Sequence, residues 1–313
     1  MDIWTEKYRP RNLDEIIGQE HVIERLKAWV REGSVPNMLF AGPAGVGKTT
    51  ASLALARELF GENWNQNFLE LNASDQRGID IVRGRIKDFA KTMSLGSRFK
   101  IIFLDESDAL TPEAQQALRR TMERFSGTCR FILSANYSSR IIEPIQSRTA
   151  VFRFRHLSEE HVKEYVNRIA KEESLNVSDD ACRAIYDISS GDLRKVANIL
   201  QASAASGSIT AQTVYEVASQ ARPSDVKEML GLALDGKFPD ARKKLHSLLT
   251  DQGLSGEDII REIHRQIFQL DIPDPRKLEL IEKTGETEFR LNQGGSEDIQ
   301  LEALLAHFIS TGK

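Results

Sequence analysis

Eight consecutive residues, Gly42-Pro43-Ala44-Gly45-Val46-Gly47-Lys48-Thr49, constrain this chain more than any other stretch. They fit the pattern G-x-x-x-x-G-K-[ST], in which successive backbone N–H groups converge on phosphate oxygens and the following helix turns its positive end toward them. Lys48 is placed to reach the β- and γ-phosphates and the Thr49 hydroxyl to ligate Mg²⁺. Thr50, next in the helix, belongs to the same cradle. A chance match in a chain this long is expected about once in a hundred. The competing reading is a glycine-rich turn with a capping threonine. It does not suit the context, because the motif follows an apolar run at 37–41 and opens a segment of helical period at 49–60.

A phosphate loop between strand and helix needs a sheet around it, and the first half of the chain supplies one. Short apolar runs at 68–71, 99–104, 131–133 and 151–152 alternate with helical patterns at 79–91 and 111–125, the latter opened by Thr111-Pro112. This rhythm predicts an α/β fold with a mostly parallel sheet covered on both faces. Ligands collect at the C-terminal ends of such strands, where Ile101-Ile102-Phe103-Leu104 ends on Asp105-Glu106. Alone, that acidic pair is a solvated strand end. Paired with the loop at 42–49, Asp105 is placed to hold the Mg²⁺ shell and Glu106 to orient and polarise an attacking water. The chain carries no Asn-Lys-x-Asp segment of the guanine-reading kind, so the expected nucleotide is ATP.

After about residue 156 the strand rhythm gives way to helical patterns alone: 158–172, 178–189, 191–204, 210–218, then 224–234, 238–251, 255–270, 274–283 and 297–310. Ser158 is a candidate N-cap, but His161 stands where a capping box wants an acidic or amide side chain. A seam falls at Ala221-Arg222-Pro223-Ser224. The expected division is an α/β P-loop domain at 1–156, a small helical domain at 157–221 and a helical C-terminal domain at 222–313. A length of 313 residues suits several cores.

Composition closes off other classes. The two cysteines cannot build a disulfide framework, and the six scattered histidines, with His156 and His161 nearest each other, give no grouped metal ligands. No apolar run approaches the ~18 residues of a membrane span. The first residues show no signal-peptide core, so an intracellular, cytoplasmic protein is expected. The formal charge of −4 confines any contact with a polyanion to a local basic patch.

Several longer pieces are more specific than the phosphate loop: Trp4-Thr5-Glu6-Lys7-Tyr8-Arg9-Pro10, Leu71-Asn72-Ala73-Ser74-Asp75-Gln76-Arg77-Gly78, Asp105-Glu106-Ser107-Asp108, Ser147-Arg148-Thr149 and Gly191-Asp192-Leu193-Arg194. In these, and over essentially its whole length, the chain resembles the AAA+ ATPases and, within them, the archaeal small-subunit family of replication factor C, the clamp loader. The resemblance implies an adenine pocket lined by Tyr8, Arg9 and Pro10 with Ile17 and Gly18. It also implies that Asn136 is a polar sensor of the γ-phosphate and that Arg194 reaches the phosphates from the helical lid. Arg148 matches the finger of a Ser-Arg-Cys motif that acts on ATP held by a neighbouring subunit, with Thr149 in place of the cysteine. The guanidinium carries that chemistry, so the departure leaves the role intact. The resemblance further implies that 157–221 is the lid and 222–313 the collar, and that oligomerisation, as a pentamer of a large subunit and further copies of the chain, is part of the mechanism.

The same resemblance bears on DNA and the sliding clamp. Arg77, Arg83, Lys87 and Lys91 lie in a segment with a local positive excess, and the last three share a helix face. From the pattern alone that stripe is equally a solvated face or a track for a phosphate backbone. The family's use of such helices favours contact with primer-template DNA without sequence preference. Arg119 and Arg120 are weaker candidates of the same kind. Met93-Ser94-Leu95-Gly96 puts two apolar residues beside a turn, at the end of the domain where the family docks on its clamp, though a loop tucked into the core fits them equally. Two other functions compete with this one. A branch-migration motor is expected to carry a winged helix, which 224–313 does not suggest. A non-catalytic assembly subunit is expected to lack Lys48 or Glu106.

Overall fold

The apolar runs become strands because their alternate residues find two different cores. In the computed structural model, which describes residues 2–75, 80, 82–205 and 207–310, five strands form one sheet. They are β1 (Met38–Ala41), β2 (Phe68–Asn72), β3 (Lys100–Asp105), β4 (Cys129–Ala135) and β5 (Ala150–Arg153). All pairings are parallel, in the order β2-β3-β4-β1-β5, with Phe40 opposite Ser134 on one side and Phe152 on the other. Met38, Phe40, Ile101, Phe103 and Ile132 pack on one face against the helices Glu20–Glu32 and Lys48–Phe60. Leu39, Ile102, Leu104, Phe131 and Leu133 pack on the other against helix Pro112–Arg124. Each fully buried Leu, Ile or Phe in such a layer contributes about 1.5–3 kcal/mol.

Local chemistry sets where the helices begin and end. Thr111 caps Pro112–Arg124, its hydroxyl accepting the Ala114 N–H at 3.3 Å, with proline at the first helical position. Helix Glu20–Glu32 stops at Gly33, which takes φ 63° and donates to Val30 O. Helix Lys48–Phe60 is buried on every face from Ala51 to Ala56, so its sequence offers no polar face to pattern analysis. The helical pattern at 79–91 appears, within the described residues, as a π-turn Val82–Ile86 followed by helix Lys87–Lys91. The cap at Ser158 corrects an expectation. His161 completes the capping box of helix Glu159–Glu173, its Nδ1 accepting the Ser158 N–H at 3.3 Å while Ser158 Oγ accepts the His161 N–H at 3.4 Å. An unprotonated imidazole nitrogen does there what a glutamate oxygen does elsewhere.

The chain divides into two compact units, Met1–Ser174 with Ser189–Gln201 and Leu175–Ile188 with Ala202–Lys313. In the second, the expectation of helices alone needs correcting. Asn176–Val177 (β6) and Ser208–Ile209 (β7) pair in parallel, and two residues are too few to show a period. Beyond them run helices Ala211–Val217, Pro223–Leu234, Phe238–His246, Gly256–Ile267, Asp274–Asn292 and Glu297–Ser310, the last five around a core that includes Leu230, Leu245, Ile263 and Phe308. Helix Asp274–Asn292 outruns the expected 274–283. Gly285 costs it about 1 kcal/mol, but buried Leu280, Thr284 and Thr287 flank that glycine and Thr284 Oγ1 donates to Leu280 O. Among the described residues from 223 onward there is no strand, and none of their helices is long and apolar enough to cross a membrane.

Candidate nucleotide site

Three strand ends build the site. β1 runs into the loop at 42–49, whose start is fixed to β4 by the Gly42 N–H donating to Ala135 O at 3.1 Å. Gly42 admits no side chain, since a Cβ would lie 2.3 Å from Phe154 O. Gly45 and Gly47 take φ 69° and 100°, which glycine adopts without a steric penalty. The loop thereby turns back on itself, and Lys48 enters its helix only 7% exposed. Its three ammonium protons go to Gly42 O at 2.7 Å, Pro43 O at 2.6 Å and Asn136 Oδ1 at 3.0 Å. Burial lowers its pKa, and the field of Asp105 opposes that shift. Lys48 and Asn136, far apart in sequence, thus share one hydrogen bond.

β3 supplies the acidic pair. Thr49 Oγ1 donates to Asp105 Oδ2 at 2.7 Å, and Asp105 Oδ1 accepts the Glu106 N–H at 2.9 Å. A hydroxyl and a carboxylate oxygen converging on one point, with room for phosphate oxygens and water, are the donor set Mg²⁺ uses beside a nucleotide. Among the described residues no group of three or more His, Cys, Asp or Glu side chains forms a separate metal site. Glu106 is exposed and holds φ 51°. That conformation is costly for a residue with a Cβ and is found where function demands it. The following turn is tied to the Asn136 strand end, Asp108 accepting the Tyr137 N–H at 3.2 Å.

These groups open on a cavity of about 300 Å³. Ala44 to Thr50, Asp105, Glu106, Asn136 and Arg194 line it, as do Arg9, Pro10 and Ile17. Gly42 and Pro43 lie behind the wall, lending their carbonyls to Lys48. Tyr8 and Gly18 also stand behind it. The Tyr8 hydroxyl donates to Glu173 and its ring meets Trp4 edge-on at 6.0 Å. Gly18 makes room for Leu157 and His161, which a Cβ would approach to 2.5 and 2.7 Å. Sequence reasoning missed Glu15, Ile16, Tyr165 and Asn198 on the wall. Ile16 could have been found as the apolar neighbour of Ile17. Tyr165 and Asn198 arrive from helices distant in sequence and carry no local signal. Burial pushes the Tyr165 phenol up to about 12, so it stays neutral.

Arg148 lies outside this cavity. Its guanidinium, 41% exposed, pairs with Glu123 at 2.9 Å and donates to Pro144 O at 2.9 Å, and Glu123 also holds Arg119 at 3.1 Å. Of the basic residues, Lys87 and Lys91 lie on helix Lys87–Lys91, with Lys91 3.8 Å from Asp88, and Arg120 is exposed. Arg77 lies outside the described residues, as does the side chain of Arg83. Met93 and Leu95 are 93% and 52% exposed. Fully buried Asn67 grips the Leu95 backbone in both directions, at 2.8 and 2.9 Å.

Comparison with known proteins agrees with this geometry. Residues 38–157 match the ATPase family associated with various cellular activities (AAA), and residues 221–307 match the replication factor C C-terminal domain. The chain is 53% identical to the replication factor C small subunit of Methanocella arvoryzae, over 99% of this chain and 97% of that protein. It is 52% identical to the small subunit of Archaeoglobus fulgidus, over 100% and 98%. The Thermotoga maritima RuvB Holliday junction branch migration motor superposes with a TM-score of 0.56 at 20% identity, over 79% of this chain and 86% of that one; this likeness is one of fold. The chain binds nucleotide and hydrolyses ATP as an AAA-type enzyme, and it belongs to the replication factor C small-subunit family.

Proposed function

We propose that this chain is the ATPase subunit of a clamp loader that opens a sliding clamp and loads it onto primer-template DNA. It would do so in an assembly with a large subunit and further copies of itself. The observation that carries this reading is the convergence of Lys48, Thr49, Asp105, Glu106, Asn136 and Arg194 on one cavity, in a chain more than half identical throughout to replication factor C small subunits. In the proposed division of labour, the backbone of 42–49, with Lys48 and Thr50, cradles the phosphates of ATP. Arg9, Pro10 and Ile17 line the base end, with Tyr8 and Gly18 bracing that wall from behind. Thr49 and Asp105 hold Mg²⁺, which when bound screens the phosphate charge.

Glu106 orients and polarises the attacking water, and its exposed position leaves it free to do so. Asn136 relays the state of the γ-phosphate to Lys48 through the hydrogen bond they share. Arg194 completes the phosphate site. Arg148, turned away from its own cavity, is suited to the cavity of a neighbouring copy. Lys87 and Lys91, with Arg77 and Arg83, supply non-specific contacts to DNA phosphates. The functional parts follow the sequence at 1–156, 157–221 and 222–313. The test is ATP turnover measured with and without primed DNA, clamp and large subunit. Strong joint stimulation is expected. Full turnover with DNA alone points to a motor, and no turnover under any condition refutes the enzyme.

A further inference from the structure

A carboxylate presses on the phosphate loop from outside its motif. Asp192 caps helix Leu193–Ala204, its Oδ1 accepting the N–H of Arg194 at 2.9 Å and of Lys195 at 3.3 Å. The same atom occupies the space a side chain at Gly45 would need: a Cβ there would lie 1.8 Å from Oδ1 and 2.2 Å from Cγ. One residue on, the Leu193 N–H donates to Gly45 O at 3.1 Å. One residue back, Gly191 lies so close to Leu157 that a Cβ would stand 2.7 Å from its carbonyl oxygen. Residues 191–193 are therefore held at both ends, and the next residue, Arg194, lines the cavity with Lys48 and Thr49.

The geometry points to Asp192 as a positioning residue for ATP, which locks the start of the Arg194 helix onto Gly45 so that loop and arginine keep one spacing across the phosphates. This rests on the reading of Arg194 as a phosphate contact. Attraction does not explain a carboxylate here, because beside a triphosphate its charge is repulsive and its field already reaches Lys48. Its acceptor strength does. An ionised oxygen at a helix N-terminus binds the orphan N–H groups more firmly than a neutral one, and the helix dipole adds to that. The bare Cα of Gly45 is what lets the two elements close to this distance.

The experiment measures the affinity of the full chain for ATP with Mg²⁺, with melting temperature alongside. Asp192→Ala and Arg194→Ala are each expected to weaken binding about tenfold, the size of one lost hydrogen bond to a charged group. The double variant should bind no more weakly than Arg194→Ala alone, because the spacing that Asp192 fixes matters only while that arginine is present. Asp192→Asn keeps a cap with a weaker acceptor but removes the repulsion, and the two changes offset, so it should stay within about twofold of the parent. If Asp192→Ala fails to fold, Leu193→Pro removes the N–H to Gly45 at a position where proline suits a helix, and the same loss is expected. Full multiplication of the two losses, normal affinity in Asp192→Ala, or no rescue by asparagine overturns the proposal. No effect of Arg194→Ala defeats the reading of Arg194 itself, whatever the Asp192 variants do.

Discussion

Replacing Lys48 with methionine keeps the stem and removes the charge, and the structure gives the size of each effect. The Lys48 ammonium satisfies three acceptors, Gly42 O, Pro43 O and Asn136 Oδ1. Losing them costs about 1 kcal/mol each, or roughly 3 kcal/mol in all. Against that stands the relief of no longer burying a cation whose pKa burial has already lowered. That relief offsets part of the loss, so the melting temperature should fall by less than the roughly 6–12 °C that a full 3 kcal/mol implies for a folded unit of about 150–250 residues. Binding is compensated only in part. Two hydrogen bonds redirected to phosphate oxygens are worth about 1.5–3 kcal/mol each, less about 1 kcal/mol for each carbonyl bond given up. The net of roughly 1–4 kcal/mol corresponds to about a hundredfold weaker ATP binding near its middle. Calorimetric titration with ATP and Mg²⁺ reads the affinity, and a thermal melt with and without nucleotide reads the stability. An affinity within about threefold of the parent, with the fold intact, refutes the placement of Lys48 at the phosphates.

Other expectations follow from residues away from that lysine. Arg148→Ala should lower turnover of the assembled complex by about 10³-fold or more while leaving the isolated chain's turnover unchanged, and equal effects in both would refute a finger acting in trans. Met93→Ser with Leu95→Ser should weaken clamp binding while ATP affinity and melting temperature hold, since both side chains are already in solvent; unchanged clamp binding refutes this surface. Lys100 is buried under the C-terminal turn of helix Lys87–Lys91, where its ammonium bonds Phe89 O and Thr92 Oγ1. Burial lowers its pKa. The folded chain therefore releases this proton before the unfolded chain does, and stability gains as pH rises from the folded pKa toward about 10.4. Lys100→Met should lack that gain, so denaturant melts across the alkaline range should show the parent improving relative to the variant.

The phosphate loop, Asp105-Glu106 and the strand rhythm were legible because each is a local pattern, a fixed spacing or an unbroken apolar run. What escaped was either too short or too distant in sequence. β6 and β7 are two residues each, and no period exists in two residues. Helix Glu20–Glu32 carries Val22, Ile23 and Leu26 at helical spacing, yet it precedes the run at 37–41 where the alternation becomes evident. Helix Asp274–Asn292 runs on past 283 and through Gly285 because of buried partners that the local pattern does not show. Residue type alone hides the cap that His161 makes, because an imidazole nitrogen and a carboxylate oxygen accept the same N–H. At the site, Lys48 and Asp105 were found from motifs, while Tyr165 and Asn198 are brought to the wall by tertiary packing alone.

The strand order has a consequence for synthesis. β1 emerges from the ribosome ahead of the other strands, yet both its neighbours, β4 and β5, are translated later than β2 and β3. The adenine wall waits longer still, because the strap at 4–10 is fastened to Glu173 and Gln201. At about 5–20 residues per second, the loop at 42–49 is exposed for roughly ten to thirty seconds before its last supports appear. The wall of the site is therefore complete only once Gln201 has been added, and β1 is the strand that waits longest for both of its neighbours.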